Sequence, residues 1–224
     1  MTKGKSTEKL KALCAMAMLT ALAAAADAFL RMPNIGGFLT YEPKDVILTV
    51  GGFIFGAVPG IIMSLLVCIL EMITVSNTGF IGLLMNFLSS AAFVGVAAVI
   101  YQRKKTMSRA IIGLAVGSAT MLVIMLLWNY IMTPIFMGIS REAVLELFLP
   151  LLIPFNMIKA LLNSALVLLL YKGVVTALRK SRLVPQRESN DGSNKRANTV
   201  MLAVISALVV ITLVVVLLIF AGII

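Results

Sequence analysis

Long apolar runs without a charged residue constrain this chain more than any other feature of its sequence. The runs Phe80–Tyr101, Ala110–Met132 and Thr199–Ile224 contain no Asp, Glu, Lys or Arg. About 20 apolar residues cross the bilayer core as an α-helix. A closed β-barrel also satisfies its backbone hydrogen bonds in lipid, but barrel strands alternate apolar and polar residues, and these runs do not. The sequence therefore predicts an all-α integral membrane protein.

The order of the apolar runs predicts three regions along the chain. Hydrophobic residues make up 61% of the sequence and charged residues 12%, whereas soluble domains carry about 25% charged residues. We expect a six-helix transmembrane bundle in residues 1–180, a polar linker at 181–198 and a seventh transmembrane helix at 199–224. The second and third spans should meet in a tight turn at Ala57–Gly60. The predicted spans are Leu10–Leu30, Asp45–Val58, Gly60–Val75, Phe80–Tyr101, Ala110–Met132, Phe148–Tyr171 and Thr199–Ile224.

The basic residues predict how the chain is oriented. Fifteen of the 19 Lys and Arg residues precede the first span, separate the fourth from the fifth, or follow the sixth. With these spans, all three segments lie on one side of the membrane. Lys and Arg concentrate in cytoplasmic loops, so we expect a multi-pass plasma-membrane protein with a cytoplasmic N-terminus. The net charge of +10 thus reflects topology, and no nucleic-acid partner is expected.

The first span has an alternative interpretation as a secretory signal. Basic residues, an apolar stretch and the small-residue sequence Ala26–Ala28 imitate such a signal. A signal's apolar core is usually about 7–15 residues long, and this stretch is longer. We therefore favour a retained transmembrane helix.

Catalytic and metal-binding motifs are missing from the sequence. It contains no histidine, and Cys14 and Cys68 are isolated, which excludes a Ser-His-Asp triad and a zinc site. Gly4–Ser6 resembles the end of a phosphate-binding loop but lacks its first glycine. We expect no catalytic residue, no metal and no resident cofactor, and any ATP should be bound by another subunit.

Polar residues inside the predicted spans are the candidates for function. Lys159 lies near the middle of the sixth span. A charge at that depth is costly and marks a functional site by default, although pairing with Asp27 or Glu71 for structure alone is the alternative. Asn156 and Asn163 share a helix face with Lys159.

The fifth span adds a second group of polar residues. Asn129 and Thr133 share a helix face and adjoin Trp128, while Asn86 lies in the fourth span. Asn86 and Asn163 could instead join helices by hydrogen bonds. Together, Asn129, Asn156 and Lys159 predict a mostly apolar pocket with a few polar groups, open to the outside. The connection that contains Tyr41 (residues 31–44) is either a lid over this pocket or a plain connector.

Several motifs resemble one family of membrane proteins. Ala17, Ala21 and Ala25 form a stripe of small residues on the first span. Glu42–Asp45 leads into Gly51–Gly56 and Pro59–Gly60. The fifth and sixth spans carry Trp128–Tyr130, Thr133–Pro134 and Pro154–Lys159. In these features the chain resembles the substrate-binding S components of energy-coupling factor (ECF) vitamin transporters, and in particular the riboflavin-specific type.

The resemblance implies a function, a set of partners and a set of site residues. An S component captures its vitamin outside the cell, then docks on a transmembrane coupling subunit and two ATPases. The alanine stripe, Ala17, Ala21 and Ala25, would be the docking surface. The expected riboflavin-binding residues are Tyr41, Glu71, Asn86, Trp128, Asn129, Thr133, Asn156 and Lys159.

One feature departs from this family, and other functions stay open. Its members usually have six helices, so the seventh at Thr199–Ile224 has no assigned role. The alternatives are an S component for FMN or another vitamin, a lipid-modifying membrane enzyme, and a membrane subunit without a ligand.

Overall fold

The computed structural model of the chain describes residues 2–31, 39–76, 78–181, 203–204 and 207–208. The predicted linker at 181–198 lies outside these ranges from residue 182 onward, as does most of the predicted seventh helix. Of that helix, Val204 and Leu208 are described, and both pack against the core of the bundle. The helices are α1 (Thr2–Leu30), α2 (Lys44–Phe55), α3 (Ala57–Thr74), α4 (Gly79–Gln102), α5 (Met107–Met137), α6 (Arg141–Glu146) and α7 (Ile153–Lys180).

The predicted fold class is confirmed. Five helices in the described ranges are long and apolar enough to cross a membrane, at Thr7–Leu30, Ala57–Thr74, Gly79–Gln102, Met107–Met137 and Phe148–Ala177. Their outward-facing surface is apolar, as a lipid-facing surface must be. The common core takes one or more residues from each long helix and from α2: Leu19, Val50, Val67, Phe93, Met121 and Val167.

The second predicted span is the short helix α2. It contains 12 residues, which at 1.5 Å per residue extend about 18 Å. The break to α3 is at Gly56, whose φ of 111° is favourable only for glycine. The turn therefore precedes the predicted position, and Ala57–Gly60 is the first turn of α3, where Pro59 is tolerated.

Two elements between α5 and α7 were not expected from the sequence. The short helix α6 begins after Ser140, whose hydroxyl accepts a hydrogen bond from the Ala143 amide at 3.2 Å. A π-helical turn at Phe148–Leu152 then leads directly into α7. Pro150 and Pro154 lack the N–H group that a regular α-helix needs, so the irregular turn occurs where the α-helical hydrogen bonds are interrupted.

Small residues allow α4 and α5 to pack closely. A Cβ atom added at Gly113 would lie 2.7 Å from the Ala97 carbonyl oxygen, and one at Gly117 would lie 2.8 Å from the Phe93 oxygen. Such glycine contacts are typical of membrane helices, which associate through close van der Waals packing. The α4–α5 pair is therefore a rigid part of the bundle.

The helix order defines two ends of the bundle. Successive helices from α1 to α5, with the short α2 counted among them, run in opposite directions, and α7 runs opposite to α5. The start of α1, residues 103–106 and the end of α7 therefore lie at one end, here called the proximal end. Residues 31, 39–43, 75–76, 78 and 138–147 lie at the other, distal end. The three basic segments, as far as they are described, therefore lie together at the proximal end.

Candidate functional site

Seven charged side chains converge in the distal half of the bundle and form what we call the charge cluster. Four are carboxylates and three are cations. Glu42, Lys44 and Asp45 are at most 1% exposed. Buried charges are costly unless they are paired, so these seven charged side chains must compensate one another. The cluster consists of Asp27, Arg31, Glu42, Lys44, Asp45, Glu71 and Lys159.

Glu42 lies at the centre of the charge cluster. Its Oε1 atom is 2.7 Å from the Arg31 guanidinium and accepts a hydrogen bond from Asn86 Nδ2 at 2.7 Å. Its Oε2 atom is 2.8 Å from Lys44 Nζ and 3.4 Å from Lys159 Nζ. One side chain thus joins the end of α1, the start of α2, α4 and α7.

Lys159 does not have the partners that the sequence suggested. Its ion pairs in the described part of the chain are with Glu42 at 3.4 Å and Asp45 at 3.7 Å, not with Asp27 or Glu71. Both distances exceed the 2.7–2.9 Å typical of a strong charge-assisted hydrogen bond. The ammonium group is therefore neutralised, but its three N–H donors are not fully used.

Glu71 and Asn86 belong to the charge cluster's network. Glu71 forms ion pairs with Arg31 and Lys44. Asn86 Nδ2 donates to Glu71 Oε1 at 2.6 Å and also to Glu42. Both predicted site residues thus lie beside Lys159's partner Glu42 and hold α3 and α4 to the cluster.

Tyr41 is hydrogen-bonded to α7. Its hydroxyl donates to Asn163 Oδ1 at 3.0 Å, and Asn163 Nδ2 donates to Asp45 Oδ2 at 3.5 Å. Burial, together with the charge of Asp45, raises the pKa of Tyr41 to about 12. The tyrosine therefore stays a neutral donor at physiological pH.

The two described ends of the 31–44 connection are held in place. Arg31 donates to the Val75 carbonyl oxygen at 3.2 Å and pairs with Glu42 and Glu71. Tyr41 and Asp45 hold the other end to α7. Residues 32–38 lie outside the described ranges, so the predicted lid stays a prediction.

The pKa values of Arg31 and Glu42 in this connection follow from their neighbours. Burial by itself lowers the pKa of Arg31, but the carboxylates of Glu42 and Glu71 more than offset it, so the pKa is raised. Burial raises the pKa of Glu42, yet Lys44 and Lys159 outweigh that effect and hold it well below its usual range. Both groups are charged at neutral pH.

The remaining predicted site residues form a second, uncharged group. Asn129 Nδ2 donates to the Met125 carbonyl at 2.7 Å, and its Oδ1 accepts from Thr133 at 3.0 Å. Asn156 Nδ2 donates to the Leu152 carbonyl at 2.8 Å. These side chains bond within their own helices, so the structure does not join them directly to the charge cluster.

This uncharged group has unused hydrogen-bonding atoms. Trp128 Nε1 is buried and has no acceptor among the residues that the structure describes. Asn156 donates through Nδ2, and its Oδ1 accepts no hydrogen bond from the residues that the structure describes. Buried polar atoms normally have partners, so the unpaired Trp128 N–H group indicates room for a polar ligand at this end of the bundle.

An apolar cluster lies at the distal end, and some of its residues are near Trp128 and Asn156 in the sequence. It has a fully buried centre and includes residues from the 31–44 connection, α5, α6 and the π-helical turn. Leu126 precedes Trp128 on α5, and Phe155 precedes Asn156 on α7. The apolar cluster consists of Leu39, Val144 and Leu152, with Leu126, Ile139, Phe148, Leu151 and Phe155 packed against them.

Several residues of the charge cluster were not in the predicted site. Glu42, Lys44 and Asp45 lie close together in the sequence near the start of α2, and the sequence analysis assigned them no binding role. The short apolar run after these residues could have predicted their burial. A 12-residue helix is too short to reach from one membrane surface to the other, so one of its ends must lie inside the bundle.

The predicted docking residues lie on the outside of the bundle. Ala17, Ala21 and Ala25 are exposed on α1, whereas Ala15, Leu19 and Ala23 face the core. The alanine stripe is therefore accessible on the outer surface of the described bundle, and a small-residue surface of this kind lets another helix approach closely.

The described part of the chain is a membrane protein with a helical bundle and a buried polar site at one end. Among the described residues no group of three or more His, Cys, Asp or Glu side chains could hold a metal ion. Residues 11–171 match the family described as ECF transporter, substrate-specific component, and the chain belongs to that family of transport proteins.

Two known proteins show the same relationship. The riboflavin transporter RibU of Staphylococcus aureus (strain TCH60) is 30% identical over 178 residues, which cover 76% of this chain and 93% of the relative. A solved structure described as the S component of a bacterial ECF transporter matches with a TM-score of 0.65 and 29% identity. That match covers 76% of this chain and 99% of the solved one.

Proposed function

We propose that this protein is the riboflavin-binding S component of an ECF transporter. It captures riboflavin outside the cell and delivers it inward after docking on a transmembrane coupling subunit with two ATPases. The similarity to a riboflavin transporter supports this substrate. The structural observation that carries the proposal is the buried Trp128 Nε1 atom, which has no acceptor among the described residues, at the same end of the bundle as the apolar cluster.

The shape and polarity of riboflavin suit this arrangement. Its isoalloxazine ring system is a flat, largely apolar plate with polar edges, and the apolar cluster offers Leu126, Leu152 and Phe155 to such a plate. Its ribityl hydroxyls both donate and accept hydrogen bonds. Lys159, Asn156 and Asn129 can provide the complementary groups, since each retains unused donors or acceptors.

The pairing of charges favours an uncharged ligand over FMN. Arg31, Lys44 and Lys159 each lie within 4.0 Å of at least one carboxylate. A phosphate group adds about −1.5 to −2 charges at neutral pH and needs cations to compensate. No cation of the charge cluster is free to do so, and the cluster already contains one more carboxylate than it has cations. Riboflavin fits this balance better than FMN.

The proposed partners follow from the outer surface and the chain's order. The coupling subunit packs on the alanine stripe, where close helix approach is possible. The ATPases bind and hydrolyse ATP, and this chain needs no resident cofactor. The proximal end with its basic residues, and with it the N-terminus, faces the cytoplasm.

The direct test is the identity of the bound molecule. The protein, purified in detergent from cells grown with riboflavin, should be yellow, and mass spectrometry of the released ligand should find riboflavin. Titration of ligand-free protein should give a lower Kd for riboflavin than for FMN. A colourless protein that binds no flavin in titration would contradict the proposed function.

A further inference from the structure

We infer that Glu42 is a positioning residue for the ligand, acting through Lys159. This inference rests on the proposed function and adds a residue to it. Glu42 itself need not touch riboflavin. Its carboxylate sets where the Lys159 ammonium group lies, and so which hydroxyl of the ligand that group can reach.

The two carboxylate oxygens of Glu42 divide their contacts between different elements. Oε1 bonds to Arg31 after α1 and to Asn86 on α4. Oε2 faces Lys44 at the start of α2 and Lys159 on α7. The first oxygen therefore fixes the carboxylate relative to α1 and α4, and the second is left in a defined place to attract Lys159.

Glu42 does not need Lys159 for its own neutralisation. Arg31 and Lys44 lie at 2.7 Å and 2.8 Å from its oxygens, whereas Lys159 is at 3.4 Å. Lys159, in contrast, depends on Glu42, because its other ion pair, with Asp45, is longer at 3.7 Å. The dependence is one-sided, as expected of a carboxylate that is held by other cations and positions the Lys159 ammonium group.

Asp45 cannot replace Glu42 in this role. Its carboxylate is also engaged by Ser90 on α4 and by Asn163 on α7. Without the Glu42 charge, the nearest remaining carboxylate for Lys159 would be Asp45. The ammonium group would then move toward Asp45, and a hydrogen bond to the ligand would be lost or lengthened.

The test is a double-mutant cycle measured as riboflavin affinity. Glu42→Gln keeps the size of the side chain but removes its charge, and we expect the Kd to rise about tenfold. In the Lys159→Met background the same substitution should change the Kd by less than about twofold, since the residue through which it acts is absent. Equal effects of Glu42→Gln in both backgrounds would overturn the inference.

A matched control separates positioning from a general loss of negative charge. Asp27→Asn also removes a carboxylate from the charge cluster, but in the described part of the chain the ion pair of Asp27 is with Lys44 alone, at 3.9 Å. Its Kd should stay within about twofold of the unsubstituted protein. A tenfold loss in Asp27→Asn would mean that any missing carboxylate weakens binding, and would overturn the specific role of Glu42.

A substitute variant and the affinity of the unsubstituted protein separate failure of this inference from failure of the proposed function. If Glu42→Gln does not fold, the same cycle with Glu42→Asp replaces it, since that variant keeps the charge and withdraws it from Lys159. Affinity unchanged by Glu42→Asp would then overturn the inference. If unsubstituted protein binds riboflavin and folded Glu42→Gln binds it equally well, only the role of Glu42 fails. If unsubstituted protein binds none, the proposed function fails first.

Discussion

The Lys159 ammonium group lies 3.4 Å from Glu42 Oε2, although the two residues are 117 positions apart in the sequence. This pair joins α7 to the segment that precedes α2. It also shows that the intramembrane lysine is neutralised by carboxylates from the 31–44 connection and α2, so substitutions of Lys159 should affect both stability and binding.

Replacement of Lys159 by methionine tests both effects. The variant keeps the length and apolar bulk of the side chain. Among the described residues, however, Asp45 loses its ion-pair partner, and Glu42 loses one of its three cationic partners. Removal of one partner of a buried pair costs about 3–5 kcal/mol, so the melting temperature in detergent should fall. Riboflavin affinity, measured below that temperature, should fall about ten- to a hundredfold. Unchanged affinity would remove Lys159 from the site.

Trp128→Phe should weaken binding without destabilising the protein. The substitution removes the indole N–H, which is buried and has no acceptor in the described part of the chain. No hydrogen bond of the free protein is lost, so its melting temperature should not fall. One neutral hydrogen bond to the ligand is worth about 0.5–1.5 kcal/mol, which corresponds to a rise in Kd of about two- to tenfold.

Tyr130→Phe is the control for Trp128→Phe. Tyr130 lies on the same helix, and its ring is 5.8 Å from the Arg141 guanidinium carbon, a contact that phenylalanine keeps. The affinity of the Tyr130→Phe protein for riboflavin should be unchanged. A Trp128→Phe protein that melts at a lower temperature and binds riboflavin normally would show that the indole N–H has a structural partner instead.

Ala21→Trp should separate transport from binding. Ala21 lies in the alanine stripe and is exposed, so a large side chain there blocks close approach of another helix but leaves the bundle intact. Riboflavin uptake by cells should fall, while the Kd of the purified protein stays nearly constant. Leu22→Trp, at the next, also exposed position, is the control and should keep uptake. Equal losses of binding and uptake in Ala21→Trp would assign the stripe to internal packing.

Labelling of single cysteines tests the orientation. In a background without Cys14 and Cys68, cysteines at the exposed positions Ser108 and Glu142 should differ in reactivity toward an impermeant reagent in intact cells. The position near the distal end, Glu142, should react, and Ser108 at the proximal end should react only after lysis. Labelling of Ser108 from outside would reverse the proposed topology.

Gly117→Ala should destabilise the bundle. The added Cβ atom would lie 2.8 Å from the Phe93 carbonyl oxygen, so α4 and α5 would have to separate. Overpacking of this kind costs about 1–3 kcal/mol and should lower the melting temperature. Gly173→Ala is the matched control, because nothing lies within 4 Å of its added Cβ. It should be neutral or slightly stabilising, since alanine favours the helix more than glycine does. Equal melting temperatures for the two variants would contradict the close packing.

Properties that depend on a single helix could be predicted from the sequence. Uncharged runs such as Ala110–Met132 predicted transmembrane helices, because lipid leaves the backbone no other partner for its hydrogen bonds. Helical spacing placed Asn156, Lys159 and Asn163 on one face, and in the structure all three are buried. The alternation of spans placed the basic segments at one end. These properties depend on local composition and on the order of the chain.

Only the tertiary structure decided which side chains meet. Lys159 is paired with Glu42 and Asp45 instead of Asp27 or Glu71, and Glu71 is paired with Arg31 and Lys44. The short helix α2, which Gly56 ends, brings the charges at its start into the bundle, whereas the sequence had predicted a short span at Asp45–Val58 without indicating what its charged residues contact. The physical reason is that an ion pair depends on distances of a few ångströms between helices, and neither helical periodicity nor net charge contains those distances.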